Sequence, residues 1–122
     1  MYTPKQAYWR IQRGQSESFY LWVDGDVSAR DLYFTAREIY DQAADDIELK
    51  SDDSEITMSY SSTLFKTKVT IIFLPATTQA LTADYYFGEL MHTANGDLTT
   101  GIISHKIKIK LDKDVRIAAD DA

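Results

Sequence analysis

Residues 28–45 read SARDLYFTAREIYDQAAD, and the fold class turns on whether they form a helix or a strand. Leu32, Ala36, Ile39 and Ala43 recur at helical spacing, and Ser28 followed three residues later by Asp31 resembles a capping box. Within the shorter window Leu32-Tyr33-Phe34-Thr35-Ala36-Arg37 the side chains alternate instead, and aromatic and Thr residues favour a pleated surface. The helix reading makes the protein mixed, the strand reading all-β. On this segment alone the two are balanced.

Outward from it, period-two alternation dominates. Trp9 and Ile11, then Phe19, Leu21 and Val23, form one apolar face on either side of Arg13-Gly14; Ile56, Met58 and Tyr60, then Val69, Ile71 and Phe73, then Ile103, Ile107, Ile109 and Leu111 continue the pattern. Turn chemistry separates these runs: Asp24-Gly25, Pro75, and Asn95-Gly96-Asp97, a strong hairpin signal. Short strands at this spacing predict an antiparallel β-sandwich of about seven or eight strands. Residues 75–81 leave a strand and make one helical turn, with Leu81 returning to plug the end of the sandwich. A two-residue Asn95-Gly96 turn pairs Leu90 with Gly101 and Tyr86 with His105. That register sends Tyr86 and Leu90 to the core with Ile103, Ile107 and Ile109, and leaves Tyr85, Phe87 and Glu89 outside beside Lys106. A bulge at Gly88 would reverse part of this assignment.

Composition narrows the function classes. The chain has 122 residues, the length of one domain, 1–122. Nineteen acidic against thirteen basic residues give a net charge of -6, which disfavours nucleic acid and anionic membrane as partners. There is no cysteine, so disulfides and thiolate metal sites are excluded. The N-terminus lacks the apolar region of a signal peptide, and the run from Val69 to Leu74 is too short to span a bilayer.

No set of residues converges on a reaction. His92 and His105 are the only histidines, and the hairpin register above holds them too far apart to share a metal; Ser104-His105 has no acid at triad spacing. Carboxylates at Asp24 and Asp26, Asp45 and Asp46, and Asp52 and Asp53 lack the loop pattern of a calcium site, and nothing sets two of them across a cleft. The expectation is therefore no catalytic residue, no metal and no cofactor. Two features point to binding. Tyr8, Tyr20 and Trp22 fall on the face opposite the predicted core, where they either pack under a second layer or form an interface with protein or sugar. Lys106, Lys108 and Lys110 alternate with Ile107, Ile109 and Leu111, which makes one face of the last strand cationic: a solvated guard against edge pairing, or an electrostatic docking stripe.

The order of these elements resembles a bacteriophage structural domain, the type at the N-terminus of baseplate upper proteins and in small tail and head-fibre modules. Ile11, Arg13, Gly14, Gln15 and Ser16 match that family's opening, and Asp31, Leu32, Phe34 and Arg37 match its next strand. The likeness continues through IELKSDDSEITM (47–58) and VTIIFLPATTQALTADYYFGELMHTANGDLTTGIISHKIKIKLD (69–112), with Ala83-Asp84 where the family commonly has Pro-Gly. The resemblance implies that residues 28–40 are loop plus strand and that the fold is all-β and immunoglobulin-like. It further implies a non-enzymatic virion subunit made in the bacterial host cytoplasm. Such a subunit is a homo-oligomer that joins other virion structural proteins at baseplate, tail, neck, fibre base or capsid. The interface residues are then Tyr8, Tyr20, Trp22, Lys106, Lys108 and Lys110. The alternative is a carbohydrate-binding module using Tyr20 and Trp22 as a stacking platform.

Overall fold

In the computed structural model, which describes residues 4–38, 46–51, 54–94 and 101–112, the disputed segment is a strand. β3 (Asp31–Arg37) buries Leu32, Phe34 and Ala36 on one face and turns Tyr33, Thr35 and Arg37 to the other. Period two prevails because Phe34 has a core to enter on only one side. Ile39 and Ala43, which complete the helical period, lie outside the described residues.

The other strands are β1 (Lys5–Gln12), β2 (Glu17–Asp24), β4 (Ile47–Lys50), β5 (Ile56–Ser61), β6 (Lys66–Phe73), β7 (Tyr85–Thr93) and β8 (Ile102–Asp112), with one short helix, α1 (Pro75–Gln79), between β6 and β7. They form a five-stranded sheet, β1-β8-β7-β3-β4, and a three-stranded sheet, β2-β6-β5. Pairing is antiparallel throughout the described strands except between β1 and β8, which run parallel. Among the described residues no helix is long and apolar enough to cross a membrane.

Four rings join the sheets. Trp9 of β1 stacks on Phe19 of β2, centroids 4.5 Å apart and planes within 5°, while Phe34 of β3 and Phe73 of β6 close around them at 5.7 Å from each other, edge to face. Phe34 lies so close to β7 that a Cβ on Gly88 would stand 2.9 Å from its Cζ, so this strand position accepts only glycine without movement. Tyr86 enters the core and its hydroxyl accepts the backbone N–H groups of Thr82 and Ala83 at 2.9 and 3.0 Å, which fixes the entry to β7.

The turn after β1 crosses from one sheet to the other, so β1 and β2 are consecutive in sequence yet belong to different sheets. Gly14 makes the crossing at φ 79°, a left-handed conformation that side chains disfavour. Its N–H donates to Thr78 Oγ1 at 3.0 Å; that buried hydroxyl donates to Gln15 O at 2.9 Å, and Arg13 Nε donates to Gln79 O at 3.1 Å. Thus the Arg13-Gly14-Gln15 motif is the clamp that holds α1 across the end of the sandwich, with Leu81 buried behind it.

The hairpin register differs from the two-residue turn. Leu90 stands opposite His105 rather than Gly101, Tyr86 opposite Ile109, and the ladder closes at His92 and Ile102, which requires a longer connection. Residues 95–100, including Asn95-Gly96, lie outside the described residues. The irregularity falls not at Gly88 but between Leu90 and Met91, where Ser104 is the extra residue and both Ser104 and His105 are buried. Past it Ile103 swaps faces: it pairs with Met91, half-buried, instead of joining Ile107 and Ile109 in the core.

Candidate functional site

The parallel pairing of β1 with β8 builds a surface that no linear stretch contains. Across the outer face of the five-stranded sheet, Tyr8 lies beside Lys108 and Lys108 beside Phe87; in the next row Arg10 lies beside Lys110 and Lys110 beside Tyr85; in the row on the other side Gln6, Lys106 and Glu89 follow one another. Tyr8 is 55% exposed and Tyr85 41%. The Lys108 and Lys110 ammonium groups sit 4.6 and 5.1 Å from the centroid of Tyr85, so one ring is shared by two cations. Arg10 donates to Asp112 at 2.9 Å, and that bond holds its guanidinium pKa above the ordinary value. On a chain of net charge -6, this face concentrates cations around exposed rings.

Tyr20 and Trp22 do not belong to that surface. Trp9 and Phe19 meet between the sheets, so their outward neighbours Tyr8 and Tyr20 point away from each other on opposite sides of the sandwich. Tyr20, 55% exposed, and half-buried Trp22 make a second patch on the outer face of the three-stranded sheet. Their rings are nearly perpendicular, at 85° and 6.4 Å, and Lys68 covers one face of Tyr20 at 4.4 Å. The six interface candidates therefore fall on two faces, and the three rings do not share one: Tyr8, Lys106, Lys108 and Lys110 lie on one sheet, Tyr20 and Trp22 on the other. Assigning all the rings to one patch assumed that β1 and β2 are neighbours. Tyr85, central to the first patch, was legible as outward-facing but not as the ring under the lysine stripe, because that depends on the β7–β8 register.

Among the described residues, the histidines and acidic turns singled out from the sequence have partners within the fold. Ser104 is fully buried, and its hydroxyl donates to Leu90 O at 3.3 Å and lies 2.9 Å from His105 Nδ1. Burial, with Lys5 adding to it, pushes the His105 pKa down to about 4. The corrected register brings His92 within two residues of the position opposite His105. Its Nδ1, however, accepts Arg30 Nε at 2.8 Å, and burial, then Arg30, lowers its pKa. Asp24 pairs with Lys5 at 3.4 Å and Lys66 at 3.9 Å. Asp26 accepts the Ser28 N–H and hydroxyl, which lower its pKa. Asp46 accepts the Glu38 N–H at 2.9 Å, and Asp45, Asp52 and Asp53 lie outside the described residues. Among the described residues no group of three or more His, Asp or Glu side chains is placed to hold a metal ion.

No protein-family model and no curated protein matches the chain.

Proposed function

We propose that this protein is a non-enzymatic subunit of a bacteriophage virion, an adaptor that docks other virion proteins, or further copies of itself, on the two outer faces of its sandwich. One observation carries the reading: each outer face presents an exposed tyrosine with lysine ammonium groups stacked on tyrosine rings, Lys108 and Lys110 on Tyr85 beside Tyr8, and Lys68 on Tyr20. Exposed rings flanked by cations suit a protein interface, where tyrosine supplies contact area and charge sets the choice of partner. Two such faces on opposite sides let one subunit join two neighbours. The motif order that resembles phage baseplate and fibre modules supplies the setting. A carbohydrate platform draws less support, since perpendicular rings with one face covered by Lys68 offer no shared plane for a sugar.

The test is incorporation. With the chain tagged in the phage that encodes it, purified particles are expected to carry the tag at a fixed position in electron micrographs. Lys108→Glu combined with Tyr8→Ala is expected to leave the isolated protein folded and to remove it from particles. Particles that lack the chain altogether refute the virion role, and full incorporation of the double variant refutes the docking face.

A further inference from the structure

The outer face of the five-stranded sheet carries positive charge that the fold does not answer. Along β8, Lys106, Lys108, Lys110 and Asp112 alternate with the buried Ile107, Ile109 and Leu111, so they point outward in one row, successive members about 6.6 Å apart at 3.3 Å per residue. Asp112 is taken by Arg10 at 2.9 Å, and Glu89 stands beside Lys106 across the β7–β8 ladder. Lys108 and Lys110 have the Tyr85 ring as partner, and among the described residues no carboxylate pairs with either. An aromatic ring attracts a cation without neutralising it, so two positive charges stand together at Tyr85 and beside Tyr8.

The chain continues from that same row. Residues 113–122, KDVRIAADDA, follow directly on Asp112 and lie outside the described residues. Their cations come first, Lys113 and Arg116 on either side of Asp114; residues 117–122 hold Asp120 and Asp121 and no cation. Two negative charges thus match the two positive charges left without a carboxylate. The reach also fits. With 113–116 reversing the direction, 117–121 run back about 16 Å at 3.3 Å per residue, and Lys108 stands about 13 Å back from Asp112. Ile117, Ala118 and Ala119 then cross Lys110 and the Tyr85 ring without adding a like charge.

We infer that residues 117–122 lie over the Lys108, Lys110 and Tyr85 patch of their own chain and cover it until a partner displaces them. Attachment selects the occupant: a segment joined a few residues away acts at an effective concentration in the millimolar range, about a thousand-fold above that of a second copy at micromolar concentration. The Tyr20 patch is the weaker seat, since it lies on the far side of the sandwich and offers Lys68 where the first patch offers Lys108 and Lys110. The contact itself stands on this charge and reach; its use as a guard rests on the docking role proposed above. A partner that takes the face must outcompete two carboxylates, which points to an acidic protein surface.

The chain has no cysteine, so Ala122→Cys gives a single attachment point for a nitroxide. In the full chain at low ionic strength the label is expected to broaden the amide resonances of Tyr8, Phe87 and Lys108 and to leave those of Tyr20 and Trp22 sharp. Salt at about 1 M, where the Debye length is about 3 Å, is expected to remove the broadening. Asp120→Asn with Asp121→Asn is expected to cut it about three-fold or more, and Lys108→Glu with Lys110→Glu to do the same. Joining that second pair to Asp120→Lys and Asp121→Lys is expected to restore it, since the charges are then exchanged. A nitroxide-labelled chain mixed with an isotope-enriched chain that carries no label is expected to broaden nothing, because the contact lies within one molecule. Broadening absent from this face, equal on both outer faces, unchanged by the charge variants, or passed between chains in the mixture overturns the inference. Absence of the chain from phage particles refutes the docking role and the guarding with it, and is read separately from these spectra.

Discussion

Tyr8 and Trp9 are adjacent in sequence and face opposite ways, which makes them a paired test of fold and function. Trp9 is buried, stacked on Phe19 at 4.5 Å and near-parallel to Phe34 at 5.7 Å, with Phe73 edge-on at 6.1 Å. Truncating it to alanine removes about 200 Å² of buried ring, worth about 5 kcal/mol at ~25 cal/mol per Å². Partial collapse of the cavity brings the expected loss to about 3–5 kcal/mol, the usual range for a buried aromatic. With a urea slope of about 1.5 kcal/mol per molar, the midpoint falls by about 2–3 M. Tyr8→Ala removes a half-exposed ring next to Lys108 and is expected to cost less than about 1 kcal/mol, leaving the midpoint almost in place. Under the proposed docking role the order reverses: Tyr8→Ala is expected to fold and to fail to bind. Equilibrium urea unfolding followed by tryptophan fluorescence for Tyr8→Ala, and by circular dichroism for Trp9→Ala, measures both. A Trp9→Ala midpoint within about 0.5 M of wild type would refute the four-ring core, and with it the packing of the two sheets.

Gly88→Ala places a methyl group 2.9 Å from the Phe34 ring and is expected to lower stability by about 1–3 kcal/mol, read as a shift in the urea midpoint without change in slope. Stability is also expected to fall with acid through the histidines: His105 has a native pKa near 4 against 6.5 in the unfolded chain, so between those values the unfolded state binds the proton first. The loss begins as pH drops through about 6.5 and levels off near 4, His92 adds to it in the same direction, and His105→Gln is expected to flatten the profile. Calcium and a chelator are expected to give identical thermal melts, since Asp24 is paired with Lys5 and Lys66 and Asp26 is bonded to Ser28; a rise of several degrees with calcium would show a site there.

The strands were legible because each core face is written locally: Leu21 and Val23, Val69 and Ile71, Ile107 and Ile109 alternate within a few residues, and α1 follows from Pro75. Which strand adjoins which is not local. Nothing in residues 8–25 says that the chain changes sheet at Gly14, since a hairpin turn and a crossover both use a left-handed glycine. The hairpin register failed for a related reason. Asn95-Gly96 is a strong two-residue turn signal, but the burial of both Ser104 and His105 requires a bulge, and the hydroxyl of Ser104 makes it tolerable by bonding Leu90 O and the imidazole. A short polar residue beside a histidine is a weak signal for that.

The same non-locality bears on function. Tyr8 and Lys108 are neighbours across β1 and β8, yet they come from opposite ends of the described chain, and Tyr85 reaches Lys108 and Lys110 only in the observed register. An unfolded chain therefore carries none of the first patch, while its separate lysines and tyrosines remain solvated. A partner that binds the patch binds only the folded state, and its binding free energy adds to folding stability by mass action. Since among the described strands β1 pairs in that sheet only with β8, the edge strand that bears Tyr8 and Arg10 would gain most from a partner laid across both. Docking of the proposed kind would thus reinforce the strand pair that creates the surface, and would tie assembly to completed folding.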